Sequence, residues 1–226
     1  AIAGFGLIFV AISIMQIAME GLQGIITPEM LPADSVIGRI EIVLLGVLAT
    51  VITQSSSAGI AATMTALYAG AISFEQGLAL VIGMDVGTTI TAIIASIGGT
   101  IGAKRTGLSH FIYNLFTATG ALLLITPYIM LWNTISPGAL QSNAEIALVA
   151  FHTCFNVVGV MLILPFTSQF ARLIKKLLPE SKSIYTTAYD DALLQTPAFA
   201  LNAVQESVLI YYVALLNHIK SILTNT

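Results

Sequence analysis

Charge is what this sequence has least of. Only 8% of its 226 residues are Asp, Glu, Lys or Arg, while 57% are hydrophobic. A soluble domain carries about 25% charge, so composition excludes a water-exposed globular fold and indicates an integral membrane protein. A net charge of −3 spread over so few groups says little about partners, and no nucleic-acid partner is expected. Cysteine is nearly absent too. The single Cys154 excludes an internal disulfide and offers no metal-ligand spacing; it reads as a small apolar packing residue. No secretory signal pattern is present. The sequence opens inside an apolar run, without an initiator Met or a basic flank, and reads as a fragment or as a chain lacking its N-terminal part.

What is there is a succession of apolar segments long enough to span a bilayer, which takes about 20 residues. Residues 1–19 read as a spanning helix, and 20–38 as a loop with Pro28 and Pro32. Residues 39–70 hold two apolar flanks around a polar run. Residues 77–97 are apolar with an interruption at 83–89, and 98–106 form a turn carrying Lys104 and Arg105. Spans follow at 107–132 and 144–166, the second ended by Pro165. From Ser183 the composition is more polar, and 188–223 read as a solvated helical tail with a break or new start at Pro197. The expected division is a transmembrane domain at 1–179 and a cytoplasmic helical tail at 180–226. Six of the eight Lys and Arg residues (104, 105, 172, 175, 176 and 182) fall on one face of this topology, with Arg39 opposite. The positive-inside rule makes that face cytoplasmic.

The polar run is Thr53-Gln54-Ser55-Ser56-Ser57. Each flank is roughly a dozen residues, about 18 Å as helix, or half of a hydrocarbon core. Two half-length helices meeting at a polar break make a re-entrant hairpin or a broken transmembrane helix, and such irregular backbone survives at membrane depth only where it is buried or lines a wet cavity. A helix restarting near Ser56 presents unpartnered N–H groups and the positive end of its dipole. With the hydroxyls of Ser55, Ser56 and Ser57 this makes a cradle for a tetrahedral oxyanion. The helix ending near Thr53 presents free carbonyl oxygens. These, with the Thr50 and Thr53 hydroxyls, suit a small hard cation.

Gly83-Met84-Asp85-Val86-Gly87-Thr88-Thr89 reads as a second break, giving a broken transmembrane helix. Asp85 is an ionisable residue at mid-membrane, functional by default. Beside backbone carbonyls and the Thr88 and Thr89 hydroxyls it makes a sodium ligand set; the alternatives are a proton carrier or a cap on a second half-helix. No Lys or Arg lies between Arg39 and Lys104. A bound anion therefore finds no fixed counter-charge in this stretch, and co-bound cations would offset it. A shorter echo pairs His110-Phe111-Ile112-Tyr113-Asn114 with His152-Thr153-Cys154-Phe155-Asn156. Polar anchoring of helix packing is favoured there over a substrate role.

Gln54-Ser55-Ser56-Ser57 followed some thirty residues later by Gly83 to Thr89 resembles the sodium-dependent phosphate cotransporter type II family. That family carries a Gln-Ser-Ser-Ser motif and a Gly-Ala-Asn-Ile-Gly-Thr-Thr-like motif in each of two inverted repeats. The likeness covers roughly 1–179; the second motif departs at Met84, Asp85 and Val86. It implies a polytopic all-α transporter carrying inorganic phosphate with sodium by alternating access. Phosphate would contact Gln54, Ser55, Ser56, Ser57, Thr88 and Thr89. Sodium would contact Thr50, Thr53, Gln54, Ser55, Gly83, Asp85, Gly87 and Thr88. No catalytic residue, no cofactor and no metal beyond sodium are implied. Tyr189 to Leu194, through Glu206, resembles the opening of a phosphate-uptake-regulator-like helical region. One motif of each kind is present, so either an upstream repeat or a second copy of the chain would complete the site. Another small anion, proton coupling through Asp85, and a membrane phosphate sensor are the alternatives. A membrane enzyme with a nucleophilic Ser is disfavoured because neither break holds a His or Lys base.

Overall fold

The computed structural model describes residues 2–21, 24–180 and 196–224. Every regular element in them is helical. In chain order these are α1 (Ile2–Glu20), α2 (Val36–Thr53), α3 (Ser56–Tyr68), α4 (Phe74–Ser96), α5 (Ile101–Ile135), α6 (Ala139–Ser142), α7 (Ala144–Ile163), α8 (Thr167–Leu177) and α9 (Pro197–Thr224). The chain divides into two compact units, 1–178 and 179–226. Six helical stretches are long and apolar enough to cross a membrane. The protein is an all-α polytopic membrane protein, as composition and segment lengths predict.

The first unit is built around α4. This helix is apolar on all sides, as a helix surrounded by others must be. Leu78, Ala79, Val81 and Ile82 are fully buried. They pack with Ile42 of α2, with Ala118, Ala121 and Ile125 of α5, and with Leu148, Phe151 and Phe155 of α7. The start of α4 is fixed twice. Ser73 and Gln76 form a reciprocal capping box, and the Gln76 amide donates to the carbonyls of Pro28 at 2.8 Å and Pro32 at 3.3 Å. The loop before α2 is thereby tied to the beginning of α4.

Contacts along α4 give the course of its neighbours. The backbone of α2 meets it at Val43 against Gly83 and at Val47 and Thr50 against Gly87, so α2 runs parallel to α4. Gly59 of α3 faces Met84 while Thr63, one turn later, lies against Gly77, so α3 runs back. α2 and α3 therefore make a hairpin whose two ends lie at the starting end of α4. Its tip reaches the level just past Gly87. This is the helical hairpin expected from the polar run.

The second expected break is not one. α4 is continuous through Gly83 to Thr89. The glycines serve close approach instead: a Cβ at Gly87 would lie 2.8 Å from the Thr50 Cβ and 2.8 Å from the Val47 carbonyl oxygen, and one at Gly83 would run into the Val43 backbone. Gly46 of α2 meets the α4 backbone at Leu80 in the same way. Small residues that let backbones touch replace hydrophobic pressure in membrane helix packing.

α5 starts earlier than the expected turn, with Thr100 as N-cap, so Lys104 and Arg105 lie inside its first turns. Its 35 residues extend about 52 Å. α7 returns antiparallel, bends at the 3-10 turn around Pro165 and continues as α8. The Arg105 Nε donates to the Leu178 carbonyl at 3.0 Å, so Lys104 and Arg105 share one end of the unit with Arg172, Lys175 and Lys176. These five cations share one end of the unit, as their spacing predicts.

α9 begins at Pro197, where the sequence places a new start. It is a single helix, long and apolar enough by length and composition to span a membrane. Lys182 and the Tyr189–Leu194 stretch lie outside the described residues.

Candidate functional site at the hairpin tip

α2 ends at Thr53 because Gln54 turns the chain left-handed, with φ 55° and ψ 23°. Among the described residues Gln54 alone, apart from glycines, has a positive φ. Left-handed backbone costs a side-chain-bearing residue roughly 1–2 kcal/mol, so a glycine would be the easier choice. Its N–H donates to the Thr50 carbonyl at 2.7 Å. The carbonyls of Val51, Ile52 and Thr53 then fall in the last turn, past the reach of any helical donor. Ser55 caps the next helix, accepting from the Ala58 N–H at 3.2 Å. The N–H groups of Ser56 and Ser57 occupy the first turn of α3, where no helical acceptor exists. Gln54 and Ser57 are exposed; Ser55 and Ser56 are half-buried. The tip thus offers carbonyl oxygens on one side and amide and hydroxyl donors on the other.

Thr50 adds a second kind of signal. Its hydroxyl is the one buried side-chain polar atom among the described residues without a hydrogen-bond partner, and the residue is 1% exposed. Other helical threonines donate to their own backbone: Thr53 to Ala49, Thr63 to Gly59, Thr65 to Ala61 and Thr88 to Met84. Thr50 does not. Leaving such a group unpaired costs about 1–3 kcal/mol, and a hard cation beside it would recover that.

Asp85 is elsewhere. As the central residue of α4 it sits in helical backbone whose carbonyls are already bonded, so the free carbonyls of the expected sodium set at Gly83, Asp85, Gly87 and Thr88 are not present. Nor is Asp85 a cap. Its carboxylate faces α7, with His152 Nε2 at 3.0 Å from one oxygen and Asn156 Nδ2 donating to the other at 2.8 Å. The Asn114 amide of α5 donates to its backbone carbonyl at 2.9 Å. Thr89 is fully buried and donates to the Val86 carbonyl at 2.6 Å. Thr89 therefore presents no free donor to a substrate here. His152 and Asn156 belong to the echo of the His110–Asn114 pentad, whose asparagine also reaches Asp85. That repetition was the available signal for them. His110 itself is exposed.

The family model for the Na+/Pi-cotransporter matches residues 15–175. The chain belongs to the Na+/Pi-cotransporter family. It is similar to the uncharacterized protein YqeW of Bacillus subtilis, 32% identical over 180 residues. It is also similar to YjbB of Escherichia coli, named a candidate inorganic phosphate export protein, at 30% over 170 residues, and to YjbB of Salmonella typhimurium at 28% over 209. These alignments cover 78%, 73% and 90% of the chain. They cover 56% of YqeW and 30% and 37% of the two YjbB proteins, so the chain spans about half of one relative and about a third of the others. No solved structure matches it significantly.

Proposed function

We propose that the hairpin tip is one half of a phosphate site in a sodium-coupled phosphate transporter. Phosphate is held by the Gln54 amide, the hydroxyls of Ser55, Ser56 and Ser57, and the free N–H groups of Ser56 and Ser57. These neutral donors and the dipole of α3 suit a tetrahedral oxyanion. Sodium binds on the other side of the tip, at the Thr50 and Thr53 hydroxyls, the carbonyls closing α2, and the side chains of Gln54 and Ser55. Its charge offsets that of phosphate where no Lys or Arg is at hand. One observation carries the reading: a helix that stops and restarts at Gln54-Ser55-Ser56 beside the buried, partnerless Thr50 hydroxyl. A second Gln-Ser-Ser-Ser hairpin, from an upstream repeat or from a second copy of the chain, completes the site. Transport follows from the hairpin rocking against the long α5 and α7 helices. The basic end of the unit faces the cytoplasm, so the chain leaves α8 on that side; lipid surrounds the spans.

The test is radiolabelled phosphate flux in proteoliposomes, with and without a sodium gradient of either direction, for the wild type and Ser56→Ala. Sodium-driven flux that falls at least tenfold in the variant is expected. Phosphate flux indifferent to sodium would remove the coupling ion from the proposal. Equal flux in both proteins would remove the tip as the site. Running the gradient both ways also tells uptake from export.

A further inference from the structure

We propose that Asp85 and His152 form a proton-carrying pair that is loaded and unloaded during the transport cycle, an inference that rests on the phosphate-transport reading above. Asp85 has eleven residues of α4 on either side, which places it at mid-membrane, where ionisable groups are expensive and tied to function. Packing alone would be met by an asparagine. Here α7 sets His152, a group that can itself change charge, against the carboxylate. Two acceptors cannot sit 3.0 Å apart without a hydrogen between them, so one proton always bridges Asp85 Oδ1 and His152 Nε2. The exchangeable proton belongs to the other ring nitrogen. Nδ1 makes no hydrogen bond among the described residues, and the His152 side chain is 26% exposed. The ring is held in place by an edge contact with Phe155, centroids 5.5 Å apart.

The step balances simply. His152 takes a proton from water at Nδ1, the bridge to Asp85 stays, and the pair passes from a net charge of −1 to 0. Release returns the proton to water and restores the charge. In either state Asn156 donates to the second carboxylate oxygen, so only the ring changes. A neutral pair moves through low dielectric at far lower cost than an anionic one, so loading favours movement of α4 and α7 relative to lipid.

Nothing nearby competes for the role. α2 carries Arg39 and Glu41 near its far end, where Arg39 pairs with Asp34 and bonds Thr126. α3 offers Tyr68 at its outer end. On α5, Lys104, Arg105 and His110 lie toward the basic end. The Tyr113 hydroxyl reaches the Asn156 carbonyl at 3.5 Å and does not touch the carboxylate. On α7, Glu145 lies at the helix start and Cys154 is exposed. No group of three His, Cys, Asp or Glu side chains that could hold a metal ion occurs among the described residues, and a two-membered pair suits a proton.

Two readouts test the pair. In the intact protein, with histidines labelled by nitrogen-15 in lipid nanodiscs, the His152 resonance is assigned by its loss in His152→Gln and titrated. The expected result is that Asp85→Asn displaces the midpoint of the His152 resonance measurably, because the bridging partner is lost. An unmoved midpoint overturns the proposal. Should Asp85→Asn fail to fold, Asp85→Glu, which keeps the carboxylate but shifts its position, is titrated instead and must also move the midpoint. In proteoliposomes, phosphate flux is measured from pH 6 to 8. Phosphate itself ionises in this range, so the comparison is between proteins: His152→Gln is expected to flatten the profile to the part contributed by the substrate. A variant profile superimposable on the wild type overturns the coupling. If no form moves phosphate, the transport reading fails on that count while the resonance midpoint still decides the pair.

Discussion

Thr50 and Gln54 carry the tip at the scale of single residues. The Thr50 hydroxyl is buried without a partner, which is a cost to the empty protein and an opening for a cation. Thr50→Val removes the orphaned group at nearly constant shape. In sodium-free buffer the variant should therefore melt at the same temperature or higher, gaining up to about 3 kcal/mol. The wild type should be stabilised further by added sodium, as any ligand of the native state stabilises it, and the variant should not. Thermal melts in sodium against choline read both effects, and an identical sodium increment in the two proteins would take Thr50 out of the cation site. The tip was legible in the sequence because five consecutive hydroxyl or amide side chains between apolar flanks have few other uses, and the helix ends fall at Thr53 and Ser56 as expected. His152 and Asn156 were less legible. They act on Asp85 across 67 and 71 residues of chain, and no local pattern states which side chain faces another across a bundle.

Among the elements, α4 is the instructive case. Glycine lowers the cost of unwinding a helix, and it also lets another backbone approach; one sequence serves both purposes. Gly83 and Gly87 looked like a break because an Asp and two Thr accompany them. Their neighbours on α2 decide otherwise, and those neighbours are forty residues upstream. Gly83→Leu would force the Leu side chain into the Val43 backbone, an overpacking expected to cost about 1–3 kcal/mol or more. The melting temperature in detergent should fall accordingly. Gly120→Ala on α5, where a Cβ meets nothing within 4 Å, should leave it unchanged or raise it. A Gly83→Leu protein as stable as the wild type would mean that α2 and α4 do not share this seam.

Asp34 and the end of α3 at Tyr68 lie at one end of the first unit, and Lys176 lies at the other. In a Cys154→Ser background, Asp34→Cys and Tyr68→Cys should react from outside intact cells with a membrane-impermeant maleimide. Lys176→Cys should react only after the membrane is opened. Tyr68→Cys labelling together with Lys176→Cys would mean that the hairpin crosses rather than returns. Charge made this half of the topology readable in advance, since five cations cluster where Arg105 meets Leu178. Over α9 the charge cue is weaker, because Glu206, His218 and Lys220 punctuate a helix otherwise long and apolar enough to span a membrane.

The glycine seam between α2 and α4 also separates two kinds of inheritance. The depth of the tip is set by main chain touching main chain at Gly46, Gly83 and Gly87. The outward face of α2, with Ile40, Leu44, Leu48 and Ile52 left 47%, 56%, 57% and 80% exposed, takes no part in that setting. A lineage can therefore re-dress this face for a different bilayer or a different neighbouring repeat, and the Gln-Ser-Ser-Ser turn keeps its depth.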